Sequence, residues 1–350
     1  MIEYRTYSAK DVRAWLDKDV NNGLSENIIS RTRANALAHC PCVKDEDVLV
    51  ISAKDGEKVV GFTAIFPEKL ERPDMWIATG TTLWVNPDYA DEFVGYNLVQ
   101  RLWGSYPDYA VIGSDVAKPA ALIDKLLGAK ILKYERSAFV FNRKVEVRTL
   151  RNFGSMLLEL FRKYRQRKAI QRVVASINTI RVSARDVIDA AAYAFIKEHS
   201  TTDTFLRSRD MLNWILRYPF SAENPLSHRA LKTNQFSGQA SSFGNKLLQI
   251  YDTNQLVGIV LLGLRGKDMH VKMLYTDEQH REIVFALIVE TMLHTRAEQL
   301  WSLYPDLNAY IEANHVALQK SNRDLLFTYP KSIKFPEPMV LQGMEGDMFA

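Results

Sequence analysis

Short apolar runs of β character alternate along the chain with stretches whose apolar residues recur three and four apart. Val59 to Phe66 (VVGFTAIF) follows the turn signal Lys54-Asp55-Gly56, and Leu256 to Gly263 (LVGIVLLG) follows Asp252-Thr253-Asn254. Each predicts the second strand of a hairpin. Helical periodicity comes next, over Asp91 to Trp103 in the first half and Glu278 to His294 in the second. Then YAVIGSDVAKPAALIDKLLGA and LWSLYPDLNAYIEANHVAL each read as a buried strand breaking into a helix, and SAFVFN and LLFTYP as closing aromatic strands.

The order is the same twice. Near the start, Thr6 to Val12 reads TYSAKDV; Arg181 to Val187 reads RVSARDV. Ser8 with Asp11, and Ser183 with Asp186, stand at capping-box spacing, which predicts a strand ending at each serine and a helix starting there. Landmarks in register argue for a duplicated domain of α/β (α+β) class, each copy a mixed central sheet flanked by helices. The boundaries expected are 1–142 for the first copy, 143–178 for a linker, 179–334 for the second copy and 335–350 for a tail.

At 350 residues, with 47% hydrophobic and 25% charged positions, the chain carries apolar mass for two cores. Cys40 and Cys42 lie too close in HCPC to bridge one another, so no disulfide framework is implied. His39 adds a third potential ligand, but no second cluster completes a tetrahedral site, and no metal is expected. The N-terminus lacks the pattern of a secretion signal, and the longest apolar run, Leu256 to Leu264, is about half of a bilayer crossing. The expectation is a cytoplasmic protein that is not integral to a membrane.

Net charge is +4 and unevenly placed: residues 143–172 hold ten Lys or Arg against Glu146 and Glu159, so the remainder is net negative. Phe153, Met156, Leu157, Leu160, Phe161 and Tyr164 give this segment an amphipathic helical period. Peripheral contact with an anionic membrane is one reading of it. A solvated interdomain helix is the plainer one, and with no aromatic stacking platform beside it, nucleic-acid binding is disfavoured.

The order of elements resembles the GNAT superfamily of acyl-CoA N-acyltransferases, written as a tandem pair. In that family the loop after the central strand reads approximately V-x-P-x-x-[RQ]-x-x-G-x-[GA]; here Val85, Pro87 and Gly95 match, while Ala90 replaces Arg or Gln and Phe93 replaces the first glycine. The resemblance implies acetyl-CoA or another acyl-CoA as cosubstrate. The acyl oxygen would lie against backbone amides near Leu83, Trp84 and Val85, and the pyrophosphate at the helix N-terminus by Gly95. Phe93 adds bulk there, and Asp91 and Glu92 place negative charge beside the phosphates or cap the helix instead of a ligand. In the second copy no glycine occurs from Met269 to Ile288. The donor is therefore expected in the N-terminal copy.

Acyl transfer to an amine needs a base and a donor for the oxyanion. Glu68 and Asp115 are the candidate bases, each through water; their plainer readings are a solvated carboxylate and an N-cap. The family's thiolate acid is a tyrosine four residues before a helix-to-strand glycine; Gly128 marks that turn and Asp124 stands at that place, with Tyr134 and Tyr89 nearby in sequence. The stretch Glu198 to Phe220 combines His199, Arg207, Arg209, Trp214, Arg217 and Tyr218. By the resemblance, Arg207, Arg209 and Trp214 would read a small acceptor amine or amino sugar from the other copy. The plainer reading is a helix with Leu212, Ile215 and Leu216 buried. Three functions follow: a CoA-dependent N-acyltransferase, a degenerate pair that binds a ligand or partner, or transfer from a tRNA carrier.

Overall fold

The computed structural model describes residues 1–18, 22–115, 128–141, 164, 168, 179–220, 222–223, 239–240, 242–295 and 297–343. The basic stretch 143–178 and Asp124 lie outside the described residues, apart from Tyr164 and Lys168. The chain divides into two units that interleave in sequence. Unit 1 takes Met1–Tyr134, Thr202–Phe243 and Asp324–Ala350, and unit 2 takes Glu135–Thr201 and Gly244–Arg323. The segment Thr202–Phe243, expected in the second copy, thus belongs to unit 1.

Unit 1 opens with β1 (Ile2–Ser8), α1 (Ala9–Lys18) and α2 (Arg31–Ala38), followed by β2 (Val48–Asp55), β3 (Lys58–Arg72) and β4 (Met75–Val85). A 3-10 turn over Pro87–Glu92 leads into α3 (Val94–Gly104) and β5 (Ala110–Asp115). Further on, β6 spans Ala129–Val140, β7 Ile180–Arg185, α4 Ala190–His199, β8 Leu206–Arg207 and α5 Arg209–Arg217. Unit 2 continues with β9 (Phe243–Asp252), β10 (Gln255–Arg265), β11 (Asp268–Thr276), a 3-10 turn over Glu278–His280, α6 (Arg281–His294), β12 (Gln299–Ser302) and α7 (Pro305–Ala313). The last strand is β13, Gln319–Pro330.

The strand order is β1-β2-β3-β4-β5-β13 in unit 1 and β7-β9-β10-β11-β12-β6 in unit 2. In each, β4 or β11 runs parallel to its neighbour β5 or β12. The pairs β1/β2, β2/β3, β3/β4, β5/β13, β7/β9, β10/β11 and β12/β6 are antiparallel. The closing strands are exchanged. Leu326 to Thr328 pair with Asp115 to Gly113 in unit 1, whereas Ser137 to Val140 pair with Ser302 to Gln299 in unit 2. SAFVFN therefore completes the unit that follows it, and LLFTYP completes the unit far ahead of it in sequence.

Paired glycines set the packing of both sheets. A Cβ at Gly61 of β3 would come within 2.9 Å of Val94 Cγ1 and 3.0 Å of Leu98 Cδ1, and one at Gly258 of β10 within 2.8 Å of Val284 Cγ2. Only glycine lets α3 and α6 lie this close to the strands. Beneath them lie two apolar clusters, one around Val60, Ile65, Ala78, Val94 and Leu98, the other around Val257, Val260, Leu262, Val284 and Ile288.

One landmark of the repeat is displaced. Ser8 and Asp11 form the expected capping box, with Asp11 Oδ2 accepting from the Ser8 amide at 2.9 Å and the Asp11 amide donating to Ser8 Oγ at 3.2 Å. Ser183, by contrast, lies inside β7, and α4 is capped by Asp189, whose Oδ1 accepts from the Ala192 amide at 2.8 Å. Ile2 pairs with Asp55 and Ile180 with Asp252, so the strands are equivalent three residues away from the SAKDV/SARDV match. A better-placed carboxylate three residues before Ala192 took the capping role.

Candidate functional site

In unit 1 the parallel ladder between β4 and β5 is short: Ile77, Ala78 and Thr79 pair with Ala110, Val111 and Ile112, and beyond Thr79 the two strands part. On its other edge β4 stays paired with β3 up to Val85, with one irregularity. Ala64 faces Thr82 and Ile65 faces Gly80, leaving Thr81 as a β-bulge. A bulge beside the point of divergence bends the strand away and frees backbone groups on the opened edge.

Register tells which amides those are. The Asn86 amide donates to Val60 O at 2.9 Å, so hydrogen-bonded pairs fall at 86/60, 84/62 and 82/64. The Trp84 N–H is thereby spent on β3, while the N–H groups of Leu83 and Val85 aim into the opening. Of the three expected positions, two present an amide and the third is a ladder residue, its ring stacked on Phe62 at 5.3 Å.

The helix after the opening starts from an unusual turn. Asn86 accepts from the Asp88 amide and caps the 3-10 turn, and Phe93 then stands before α3 with φ 55, the left-handed region a glycine adopts freely. Its ring is 61% exposed. The first bond of α3 runs from the Asn97 amide to Phe93 O, which leaves the amides of Val94, Gly95 and Tyr96 at the helix mouth. A Cβ at Gly95 would sit 3.3 Å from Val85 Cγ2, tight enough to press helix from strand. Asp91 and Glu92 are exposed and do not cap α3, whose N-cap makes no side-chain bond. These amides fit an anionic phosphate; the two carboxylates work against it.

Glu68 is not in a solvated turn. It lies within β3, 0% exposed, and Arg207 of β8 grips it with Nε at 2.8 Å from Oε2 and Nη2 at 3.2 Å from Oε1. Thr79 Oγ1 donates to Oε1 at 2.9 Å. The pairing of β3 with β8, Leu70 opposite Arg207, brings this arginine in. A base acting through water requires a water beside it, and this carboxylate is enclosed by protein donors instead. Asp115 ends β5 opposite Leu326, three residues beyond the last pair with β4, so its backbone stands at the rim of the opening.

The other expected acceptor residues take separate places. Trp214 is buried: its Nε1 donates to Ala36 O at 2.8 Å and its ring packs on Phe66 and Phe220. Arg209 is exposed at the first turn of α5, which Ser208 caps by accepting from the Met211 amide at 3.2 Å. His199 belongs to unit 2, where Asp277 Oδ1 lies 2.8 Å from its Nε2. Tyr89 donates to Asp55 Oδ2 at 3.1 Å across the hairpin tip. Cys40 is buried 3.6 Å from Pro67 O, burial raising its thiol well above the usual range, and His39 stacks on Tyr218 at 5.1 Å. Among the described residues no group of His, Cys, Asp or Glu could hold a metal.

Unit 2 repeats the opening, which the sequence did not announce. Asp268, Met269 and His270 pair in parallel with Gln299, Leu300 and Trp301, and then β11 leaves β12. Leu261 faces Met273 and Leu262 faces Val271, so Lys272 is the bulge, at the place of Thr81. The Asp277 amide donates to Val257 O at 3.1 Å, as Asn86 does to Val60.

The two mixed α/β units share one arrangement, a bulged strand parting from a short parallel ladder ahead of a helix. Solved structures described as GCN5-related N-acetyltransferases (GNAT) have a similar fold. A putative acetyltransferase from Pyrococcus horikoshii aligns over 99% of this chain and 92% of its own at 12% identity and TM-score 0.50. A GCN5-related N-acetyltransferase from Kribbella flavida aligns over 93% and 70% at 13% identity and TM-score 0.50. A fungal multi-domain β-N-acetylglucosaminidase, described as having a GCN5-related glucosamine N-acetyltransferase region, aligns over 94% of this chain at 11% identity and TM-score 0.50, and the chain spans 38% of that protein. At these identities the likeness is one of fold. No family model and no curated protein matches the sequence. No helix among the described residues is long and apolar enough to cross a membrane.

Proposed function

We propose that the protein is an acyl-CoA-dependent N-acyltransferase whose donor site is the β4/β5 opening of unit 1. The observation that carries the proposal is the conjunction there of two outward amides, Leu83 and Val85, with the N-terminus of α3 at Gly95. An acyl oxygen drawn toward the Leu83 and Val85 N–H groups gains two donors where charge develops. The pyrophosphate then meets the amides of Val94, Gly95 and Tyr96. Asp115, whose backbone stands at the rim, is the base proposed to take the amine's proton through water. Arg209 is the one of the three acceptor candidates left at the surface. The acceptor proposed is a small amine or amino sugar, in keeping with the sugar acceptor named for the fungal relative.

A second reading, a pair that binds ligand without catalysis, is favoured by the enclosure of Glu68 and by Asp91 and Glu92 beside the phosphate position. Calorimetry of the full chain with acetyl-CoA and longer acyl-CoAs tests the first. Binding is expected in the wild type, with a loss of about tenfold or more in Gly95→Val, whose side chain would push α3 from Val85. No acyl-CoA binding in the wild type removes the donor site from unit 1; binding without acyl transfer to any amine leaves the second reading.

A further inference from the structure

The two openings share a backbone and differ in charge. Register makes Thr79, Thr81 and Glu68 in unit 1 equivalent to His270, Lys272 and Arg265 in unit 2, and Ile112 equivalent to Trp301. Two neutral hydroxyls and a paired carboxylate have become three basic groups. Arg136 joins them from β6, its guanidinium in hydrogen-bond contact with His270 Nδ1 and 4.8 Å over the Trp301 ring. Arg323 approaches the same ring at 4.7 Å. Asp268, opposite Arg265 in the hairpin, is a carboxylate that faces Arg136, Arg323 and Arg265.

So much like charge in a half-buried place is costly to keep. Burial pushes Arg136 down to about 10, with Arg323 adding repulsion, and pushes Lys272 down to about 7, with Arg265 and Arg136 adding theirs. The aliphatic stem of Lys272 lies across Gly263, where a Cβ would be 2.3 Å from its Cε, so glycine there is what accommodates the lysine. Neighbouring polar groups are aligned as well: Asn308 Nδ2 donates to Ser137 Oγ, and Ser137 Oγ to Asn322 Oδ1, both at 3.2 Å. Asn308 Oδ1 is buried without a hydrogen-bond partner. A copy kept only as scaffold would gain nothing from gathering these cations at its one opened strand pair.

We propose that the opening between β11 and β12 of unit 2 binds a small oxyanion, a carboxylate or a phosphate, held by Arg136, His270 and Arg323 around the Trp301 ring. The anion supplies the countercharge, and the guanidinium forks give it two-point contact. Lys272, behind them, takes up a proton as the anion arrives, because an added negative charge favours its ammonium form. The site is independent of the acyl-CoA reading for unit 1.

The test is calorimetric titration of the full chain with inorganic phosphate and with succinate, against chloride at equal ionic strength, at pH 7.5 in two buffers of different ionisation enthalpy. Saturable binding with net proton uptake is expected. Arg323→Gln, at an exposed position, should weaken it about tenfold, with the urea midpoint of the variant checked against the wild type. Lys272→Met should abolish proton uptake. Acetyl-CoA titrations should be unchanged in both variants. Absence of saturable binding of either probe overturns the proposal, as does binding that Arg323→Gln leaves at wild-type strength. Preference for succinate over phosphate would identify a carboxylate ligand, and the reverse a phosphate.

Discussion

Replacing Glu68 with glutamine keeps the shape of the side chain and removes its charge, leaving a guanidinium that is 2% exposed without its anion. Removal of one partner from a buried pair costs about 3–5 kcal/mol. The contact here is two-pronged at 2.8 and 3.2 Å, with a third bond from Thr79, so the upper part of that range applies. Arg207→Met should cost a similar amount, since the Glu68 carboxylate, 0% exposed, is then stranded. The double variant Glu68→Met with Arg207→Met has no charge left to strand and should fall within about 1 kcal/mol of the wild type, or above it. With Glu68→Met as the matching single variant, the wild type, Glu68→Met, Arg207→Met and the double make a double-mutant cycle read by urea denaturation of the full-length protein, with coupling expected at about 3 kcal/mol or more. Single variants that each lose under about 1 kcal/mol and add in the double would refute the reasoning. So would a Glu68→Gln protein of wild-type stability that had lost acyl transfer, since that result would return Glu68 to the chemistry.

Phe93→Gly relieves a left-handed backbone worth about 1–2 kcal/mol against glycine's own entropic cost of about 0.5–1 kcal/mol; a midpoint in urea equal to or above wild type is expected, together with tighter acetyl-CoA binding when Glu92→Gln is added and salt is low. Gly258→Ala places a Cβ 2.8 Å from Val284 and should destabilise by about 1–3 kcal/mol in the same assay. Lys272, lowered by burial, binds its proton less readily in the folded chain than in the unfolded one. Wild-type stability should therefore rise with pH between about 7 and 10.5 relative to Lys272→Met, and equal slopes for the two chains would contradict the burial of that amine.

The duplication was legible because its hairpin strands carry a glycine at the same step, Gly61 and Gly258, and close helix packing demands one. The cap at Ser183 was misread because a five-residue likeness, SAKDV and SARDV, obeys a local rule that Asp189 satisfies in its place. Leu83, Trp84 and Val85 were all expected from the resemblance's central strand, and only strand register separates the two outward amides from that of Trp84. Arg207 and Glu68 were each singled out for separate chemistry. They lie 139 positions apart, and no periodicity could show that β8 would join the edge of β3. The basic opening of unit 2 went unread for a related reason. Arg136, Arg265, His270 and Arg323 are scattered along four places of the sequence, and Lys272 looks like an ordinary exposed residue in MHVKMLY until the bulge turns it inward.

The exchange of closing strands bears on how the two openings can be studied. In unit 1 the strand beside β5 is Leu326 to Thr328, and Phe327 and Tyr329 from it sit in the apolar cluster with Ile77, Ala110 and Ile112. A fragment ending near residue 142 lacks this strand, so β5 would present an unpaired edge and that cluster would lose two of its largest members. It also lacks Arg207 and so strands Glu68. The complementary fragment starting near 179 lacks Ser137 to Val140, and with them the partner of β12 and the guanidinium of Arg136. Each sequence half lacks a strand of its own sheet, so a ligand assigned to one by expressing it alone would be assigned to a broken sheet. Single substitutions in the full chain, at Gly95 for one opening and Arg323 for the other, leave both sheets complete and can tell the two sites apart.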